Sequence, residues 1–493
     1  SRTLVFIDSG VSEQQTLLDA LTPDTEVIQL EGDRDGIDQI IEAIAGRTGI
    51  DSIHLVSHGN SGSVQLGTTQ LSVETLDTYL PQWQMLRGSL SEGADILLYG
   101  CNVGSSDTGI TFLQRLAELT GADIAASDDL TGSAALNGNW TLEVRTGNIE
   151  APMPFQSEAI AAYNALLPVT YTVEAGNVTQ LIDAITAANQ AGQESIINLV
   201  GGTYNLTEIN NTTLGANGLP SLDAGILTIN GNGSEIIRDE NATEDFRIFH
   251  IGAAANLTLN NVTLKNGVAN ITNQDNGSDG GGIYNAGTLT LTQSTITENH
   301  ADDDGGGINN EGTLTVIDSR IFRNSSADEG GGIRHLGSRN LTLIGSTIDE
   351  NQADDQGGGI HNSSTAVISN STISNNQAAT DGGGFYNGGS LTIRHSTIAL
   401  NSADSDGNNT GNGGGIFNEQ GRTSLNLSHT LVGGNQDNSS GTVHLDISGQ
   451  VSTNADYNLI GNFTGSTGLN SAINYSFDFL GGIEITEVIN PIL

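Results

Sequence analysis
The sequence predicts a multidomain chain in which an N-terminal α/β unit on a mainly parallel sheet is followed by a parallel β-helix. Three observations carry this. Over residues 1–165 short apolar runs alternate with amphipathic helical segments. From residue 169 that pattern gives way to a repeat in which Gly-Gly-Gly plus an apolar residue recurs about every 25 residues. The length, 493 residues, exceeds what one compact core organises.

In the first half, Leu4–Ile7, Val27–Leu30, Ile53–Val56, Ile96–Tyr99 and Ile124–Ala126 read as short buried strands. Between them, Gly36–Ala45 carries Ile37, Ile40, Ile41 and Ile44 at helical spacing, and Thr108–Leu119 carries Ile110, Leu113, Leu116 and Leu119 on one face. Strand, helix, strand at these intervals means parallel strands with helices on both faces. Two hairpins are expected, near Val64–Leu71 and Trp140–Val144, and Pro168 marks the join after Tyr163–Leu167.

In the second half the triple glycines begin at Gly280, Gly305, Gly330, Gly357, Gly382 and Gly413. Each is followed by a strand: Thr288–Leu291, Thr313–Val316, Leu341–Ile344, Ala366–Ile368, Leu391–Ile393 and Leu425–Leu427. Two asparagine columns accompany them. One is Asn299, Asn324, Asn351, Asn376, Asn401 and Asn435; the other is Asn285, Asn310, His335, Asn362, Asn387 and Asn418. Three short strands and three turns in such a period make one coil of a parallel β-helix. Aliphatic residues stack inside, asparagine amides bond up and down at the bends, and glycine serves bends with positive φ. Earlier coils (Ile226–Ile237, Phe249–Leu264) keep the spacing, for on the order of a dozen coils and a rod roughly 60 Å long. The exposed first coil needs a cover. Thr179–Asn189, with Leu181, Ile182, Ile185 and Ala188 on one face, is the expected cap, and Ile483–Leu493 is a further strand-like run. The expected boundaries are 1–167 for the α/β unit, 168–205 for linker and cap, and 206–493 for the β-helix.

Composition narrows the function. Fifty-seven acids against 15 bases give a net charge of −42, and Lys265 is the one lysine. That argues against nucleic acid and against an anionic membrane surface, both of which need clustered cations. No run of about 18 apolar residues offers a membrane span, and no signal peptide is visible, so export by another route or prior removal is expected. One cysteine, Cys101, leaves no internal disulfide and no multi-cysteine zinc site.

Family likenesses sharpen this. Gly-Gly-Gly-Ile-Tyr-Asn at 280–285 and Ser-Thr-Ile-Thr-Glu-Asn at 294–299 resemble the right-handed β-helix repeats of bacterial surface proteins, particularly the polymorphic outer-membrane protein type. Leu-Val-Phe-Ile-Asp-Ser-Gly at 4–10, His-Leu-Val-Ser-His-Gly at 54–59, Leu-Leu-Tyr-Gly-Cys-Asn-Val-Gly at 97–104 and Leu-Thr-Gly-Ala-Asp-Ile-Ala-Ala-Ser at 119–127 resemble the DUF4347 domain, a family of unknown function found at the start of large exported proteins, often cyanobacterial or marine. That domain is more remotely similar to the caspase, gingipain and CHAT peptidase group, where a His-Gly ends one parallel strand and a cysteine the next. The resemblance implies a caspase-like sheet in which His58 assists a Cys101 thiolate, the backbone N–H groups of Gly59 and Cys101 receive the oxyanion, and Asp128 and Asp129 form an acidic pocket for a basic side chain.

Each motif also has a plainer reading. A lone cysteine is usually a small buried hydrophobe, and His54, inside a strand, packs under a helix. The acids Asp302, Asp303, Asp304, Asp328, Glu329, Asp354, Asp355 and Asp381 recur on corresponding loops. They form either a calcium ladder, calcium being the one cofactor considered, or a solvated face that keeps the rod soluble. The sequence therefore points first to an extracellular or cell-surface structural or adhesive protein. Its partners would be other copies of itself, assembled head to tail into filaments, or surface polymers. A cysteine peptidase, self-processing or acting on neighbours, ranks second. A polysaccharide-active enzyme ranks third, because the scattered Arg320, Arg323, Arg334 and Arg394 make no uronate-binding cluster.

Overall fold
The computed structural model describes residues 2–191, 194–270, 277–421, 423–440, 443–452, 457–462, 464–468 and 475–476. The expected terminal run Ile483–Leu493 lies outside them. The chain divides into two units, Ser1–Tyr171 with Ala191–Ile196, and Thr172–Gln190 with Ile197–Leu493.

The first unit carries β1 (Thr3–Asp8), α1 (Gln14–Ala20), β2 (Thr25–Leu30), α2 (Gly36–Ile44), β3 (Ile50–Val56), β4 (His58–Asn60), β5 (Ser63–Leu66), β6 (Thr69–Ser72), α3 (Val73–Leu76), α4 (Leu80–Ser89), β7 (Leu90–Tyr99), α5 (Ser106–Thr120), β8 (Asp123–Ala126), β9 (Val144–Arg145) and α6 (Ser157–Ile160). The main sheet has the order β2-β1-β3-β7-β8-β9. Its first five strands run parallel, and β9 returns antiparallel along β8. Alternation along each strand feeds two cores. Leu4, Phe6, Ile53, Leu55, Ile96 and Leu98 pack with α2, α4 and α5. Val5, Ile7, Val56, Leu97 and Tyr99 pack with α1 and α6. Helix α2 begins where the Asp35 carboxylate accepts the N–H groups of Ile37 and Asp38 at 2.9 and 3.0 Å, a side-chain N-cap. Its isoleucines fill the first core.

The strands expected in this half are all present, but β2 is the sheet's edge strand, and Val27 is exposed where a buried strand is expected. The β5–β6 hairpin is where Val64–Leu71 predicts it. Trp140–Val144 forms no hairpin; Val144 instead begins the short strand β9, and Trp140 packs edge-on against Phe155 and Tyr163. On α5 the buried face is Phe112, Leu113 and Leu116, while Ile110 is exposed. The apolar stripe is turned toward Phe112 because the larger ring fills the space under the sheet.

The second unit opens with α7 (Val178–Ala191), whose Leu181, Ala184, Ile185 and Ala188 are buried. Asn189 ties it to the strand Leu222–Arg238, giving Nδ2 to the Ser221 carbonyl at 2.9 Å and taking the Asp223 N–H at 3.1 Å. From there the parallel β-solenoid runs on. Strands Leu222–Arg238 and Phe249–Lys265 pair in parallel, and six regular coils follow. Ile283, Ile308, Ile333, Ile360, Phe385 and Ile416 lie one above another and are buried.

Both asparagine columns are hydrogen-bonded ladders. Asn351 donates Nδ2 to Asn376 Oδ1 at 3.0 Å, while its own Oδ1 accepts Asn324 N–H and Nδ2, each at 3.0 Å. His335 takes its place in the other column, with Nδ1 2.8 Å from Asn310 Nδ2. The triple glycines answer to backbone conformation and to crowding. The first of each has φ between 66 and 72°, in the left-handed region. A Cβ on the second would strike the next coil's backbone, as at Gly358, 2.2 Å from the Gln377 oxygen. A Cβ on the third would meet both the next coil's backbone and the ladder amide, as at Gly359, 2.6 Å from the Gly384 oxygen and 3.0 Å from Asn376.

Candidate functional site
In an open parallel sheet the crevice forms at the carboxyl ends of the strands where strand order reverses. Here that point lies between β1 and β3. β1 ends in Asp8, and β3 runs into Ser57 and His58. Both Asp8 and His58 are buried, with His58 Nε2 3.9 Å from Asp8 Oδ1. The carboxylate also accepts the N–H groups of Gly10 at 2.9 Å and Gly67 at 2.6 Å. Gly10 is required because a Cβ there would lie 2.3 Å from His58 Nε2. Gly67, at φ 56°, lets the β5–β6 turn bring its N–H to Asp8. Burial pushes the His58 imidazole below its ordinary value, against the pull of the Asp8 charge. A neutral histidine beside a buried carboxyl group is suited to accept or relay a proton, and the Gly67 N–H already takes one of the carboxyl oxygens. Sequence reasoning does not single out Asp8. An acid ending an apolar strand inside Phe-Ile-Asp-Ser-Gly is the signal that points to it.

Cys101 follows the end of β7, the neighbour of β3. The two strand ends touch through backbone, since a Cβ on Gly59 would meet the Cys101 carbonyl oxygen at 3.0 Å and Val103 Cγ2 at 2.5 Å. The side chains take separate partners. The Cys101 side chain is fully buried; its thiol donates to the Leu167 carbonyl at 2.9 Å and its sulfur accepts the Thr131 N–H at 3.2 Å. Around it lie Tyr163, Leu167, Val169 and Phe155. The Gly59 N–H, expected to receive an oxyanion, donates to the Pro168 carbonyl at 3.4 Å. Asp128 and Asp129 are exposed, and their oxygens and those of Glu143 lie within 4.8 Å of one another. Both Asp129 oxygens accept from Asn139 Nδ2, at 3.0 and 2.9 Å. His54 is buried under Tyr99, the rings stacked 5.9 Å apart, and burial pushes its pKa down to about 3.

In the solenoid the expected acids fall into distinct rows. Asp279, Asp304, Glu329, Gln356, Asp381 and Asn412 each precede a triple glycine, and the N–H of the glycine that follows each one bonds to the carbonyl of the next member of the row. Asp303, Asp328 and Asp355 form the adjacent row, with Asp328 N–H on Asp303 O at 3.0 Å and Asp355 N–H on Asp328 O at 3.1 Å. Asp302 and Asp354 stand outside both; Asp302 pairs with His300 Nε2 at 3.2 Å, and Asp354 Oδ1 accepts Gln352 Nε2 at 3.2 Å. Burial raises Asp304 to about 7 and, with the charges of Glu329, Asp355 and Asp303, Asp328 to about 6. Burial also raises Asp381, whose Oδ1 accepts Asn412 Nδ2 at 3.3 Å. Arg334 answers part of this charge, 2.9 Å from Asp304 Oδ2 and 3.1 Å from Glu329 Oε2. Asp279, the row's first member, has no regular coil before it to reveal the pattern and is legible only in the structure.

The molecule is therefore an α/β unit joined to a parallel β-solenoid. Residues 4–167 match the family model described as a domain of unknown function, DUF4347, which is the identity expected for the first unit. No curated protein and no solved structure matches the chain. Among the described residues no helix is long and apolar enough to cross a membrane.

Proposed function
We propose that this is an extracellular or cell-surface structural and adhesive protein, with the β-helix as its rod and the DUF4347 unit as its head or assembly module. The observation that carries the reading is how the repeat spends its residues. The glycines, both asparagine ladders and the inward aliphatics all serve the stacking of one coil on the next, which is what a load-resistant rod requires. The net charge of −42 fits a surface that stays dispersed until a specific contact forms. Partners are then other copies of the chain or surface polymers. The peptidase reading stands behind this one, because the Cys101 thiol is given to a backbone carbonyl and enclosed.

The test is sedimentation velocity and negative-stain imaging of the purified chain over a range of concentrations, beside pull-down on immobilised acidic and neutral polysaccharides. Ordered filaments, or saturable retention on one polymer, are expected. A chain that stays monomeric and unretained on every polymer overturns the proposal.

A further inference from the structure
We infer that Ser325, His300 and Asp302 form a nucleophilic site on the solenoid, which transfers the acyl group of uncharged O-acyl esters to Ser325 and on to water. The inference is independent of the adhesive reading and does not involve Cys101. It follows from the coil repeat. The short strands His300–Ala301 and Ser325–Ser326 belong to a sheet in which His300, Ser325, Gln352, Gln377, Ser402 and Gln436 are paired in register. The residues that follow the first five, Ala301, Ser326, Ala353, Ala378 and Ala403, are buried, so this column faces out. Successive members lie one coil apart, about 4.8 Å, which brings an imidazole to a hydroxyl in the next coil. Residues two apart on a strand share a face, which sets Asp302 beside His300. Gln352 and Asp354 repeat that second contact two coils on, at 3.2 Å.

Both contacts are made at one place. His300 Nδ1 lies 2.8 Å from Ser325 Oγ, and His300 Nε2 lies 3.2 Å from Asp302 Oδ1. With the ring proton on Nε2, facing the Asp302 carboxylate, Nδ1 is left to accept the Ser325 hydroxyl proton. Nucleophile, base and orienting acid are linked in the order that acyl transfer needs, with the two ring nitrogens exchanged relative to the chymotrypsin arrangement. The His300 and Asp302 side chains are 43% and 36% exposed and Ser325 is half-buried, so a solute reaches the group from water. Ser402 holds the same position in its own coil but has Gln377 below it and Gln436 above, and its Oγ accepts Asn438 Nδ2 at 2.9 Å. The column therefore supplies its own comparison, a serine with an imidazole neighbour and a serine without one.

In the first step Ser325 Oγ attacks the ester carbonyl carbon while His300 Nδ1 takes the hydroxyl proton. The bond from that carbon to the alcohol oxygen breaks, and the alcohol leaves with the proton from His300. In the second, a water gives a proton to His300 and attacks the acyl-serine. The bond to Ser325 Oγ breaks, the serine regains its proton, and the carboxylic acid departs. On this open face the developing oxyanion is solvated by water, so esters of acidic alcohols, which need the least stabilisation, react best. Asp303 and Asp328 follow in the same two coils and disfavour an anionic acyl group.

The experiment treats the full chain with p-nitrophenyl acetate and, separately, with a fluorophosphonate probe, and locates the adducts by peptide mass spectrometry. One adduct per chain is expected, on Ser325. Ser325→Ala should abolish it. His300→Gln, which places in the column the residue already found at Gln352, should slow labelling about 100-fold, the worth of a general base. Asp302 is a positioning residue, and Asp302→Asn should lower the maximal labelling rate about tenfold while leaving the half-saturating probe concentration unchanged. Ser402→Ala is the control and changes nothing. Circular dichroism melting of each variant checks that the coils remain stacked. No adduct, an adduct on His300, equal labelling of Ser325 and Ser402, or labelling of Ser325 insensitive to His300→Gln overturns the inference.

Discussion
Along β3, Ile53 and Leu55 face one core while His54 and Val56 face the other, so the N-terminal unit buries both sides of its sheet against helices. In the solenoid, Ile308, Ile333 and Ile360 share one column, and each residue's neighbours are its counterparts in the coils above and below. The first arrangement tolerates variety, because a helix can shift to accommodate a changed side chain. The second does not, because a position fixed in one coil is fixed by the next. The difference teaches where each unit is brittle, and it can be measured in one molecule. The chain's two tryptophans, Trp83 and Trp140, both lie in the first unit, so their fluorescence reports that unit while far-ultraviolet circular dichroism reports the whole.

The sharpest break is expected at the second glycine of a coil. Gly358→Ala places a Cβ 2.2 Å from the Gln377 oxygen, which is backbone and cannot turn aside. The expected loss is about 3 kcal/mol, visible in the circular dichroism denaturation curve with the tryptophan curve unmoved. A shift under 0.5 kcal/mol, the range of an ordinary surface change, would falsify the claim that coil contact sets the glycine. Next comes the ladder. Asn351→Ala removes the acceptor of Asn324 N–H and Nδ2 and the donor to Asn376 and to the Ile321 carbonyl. Buried partners left unpaired cost about 2–3 kcal/mol. Asn351→Asp keeps the acceptor and loses the donors, so it should fall between wild type and alanine.

Acid acts on the two units through different groups. His54 has a folded pKa of about 3, below its unfolded value of about 6.5. The unfolded chain therefore takes up a proton that the folded one refuses. This contribution is whole above about pH 6.5 and is lost as pH falls, by at most about 1.4 kcal/mol per pH unit. Asp304 runs the other way. Its folded pKa of about 7 lies above the unfolded value of about 3.9, so its contribution is present below about pH 4 and fades as pH rises through 7. His250 and His361, held down by burial to about 4 and about 3, oppose it within the solenoid. Between about pH 6.5 and 5 the tryptophan-reported midpoint should drop by about 1–2 kcal/mol, and the drop should shrink in His54→Phe, which keeps the stack on Tyr99. An unchanged slope in that variant would assign the loss elsewhere.

How much of this was legible in advance follows from the same contrast. Repetition made the solenoid plain: six copies of one motif set the strands, both ladders and the place of His335 as an asparagine substitute before any coordinates. The four inner parallel strands were equally open to reading, because buried strands are continuous apolar runs, while the edge strand β2 is broken by Glu26 and Gln29 and largely exposed. What a single copy conveys is weaker. Ile110 and Phe112 compete for one face of α5, and only the packed core decides for Phe112. Asp8 and Asp279 acquire their partners 50 and 25 positions away, at His58 and Asp304; the local pattern marks Asp8 as an acid at a strand end but does not name the partner. The adjacency of His58 and Cys101 was legible from the strand order, but the direction of each side chain was not, since it depends on Leu167 and Gly10.

The smallest expected effect bears on that last point. Cys101 is enclosed by the segment around Tyr163 and Leu167 and bonded at 2.9 Å to the Leu167 carbonyl. A thiol so buried and bonded is closed to a reagent in the folded chain. Iodoacetamide should leave the native chain unlabelled across about pH 5–9 and label it once denaturant has moved the tryptophan signal. Cys101→Ala should cost only about 1–2 kcal/mol, the worth of a small buried side chain and a weak hydrogen bond, and should appear in the tryptophan curve alone. Rapid labelling of the native chain, rising with an apparent pKa well under the ordinary thiol value, would instead mean that the segment over Cys101 opens. The crevice at β3 and β7 would then deserve assay as a nucleophilic site. The two outcomes need no knowledge of a substrate, and one thiol per chain makes the readout unambiguous.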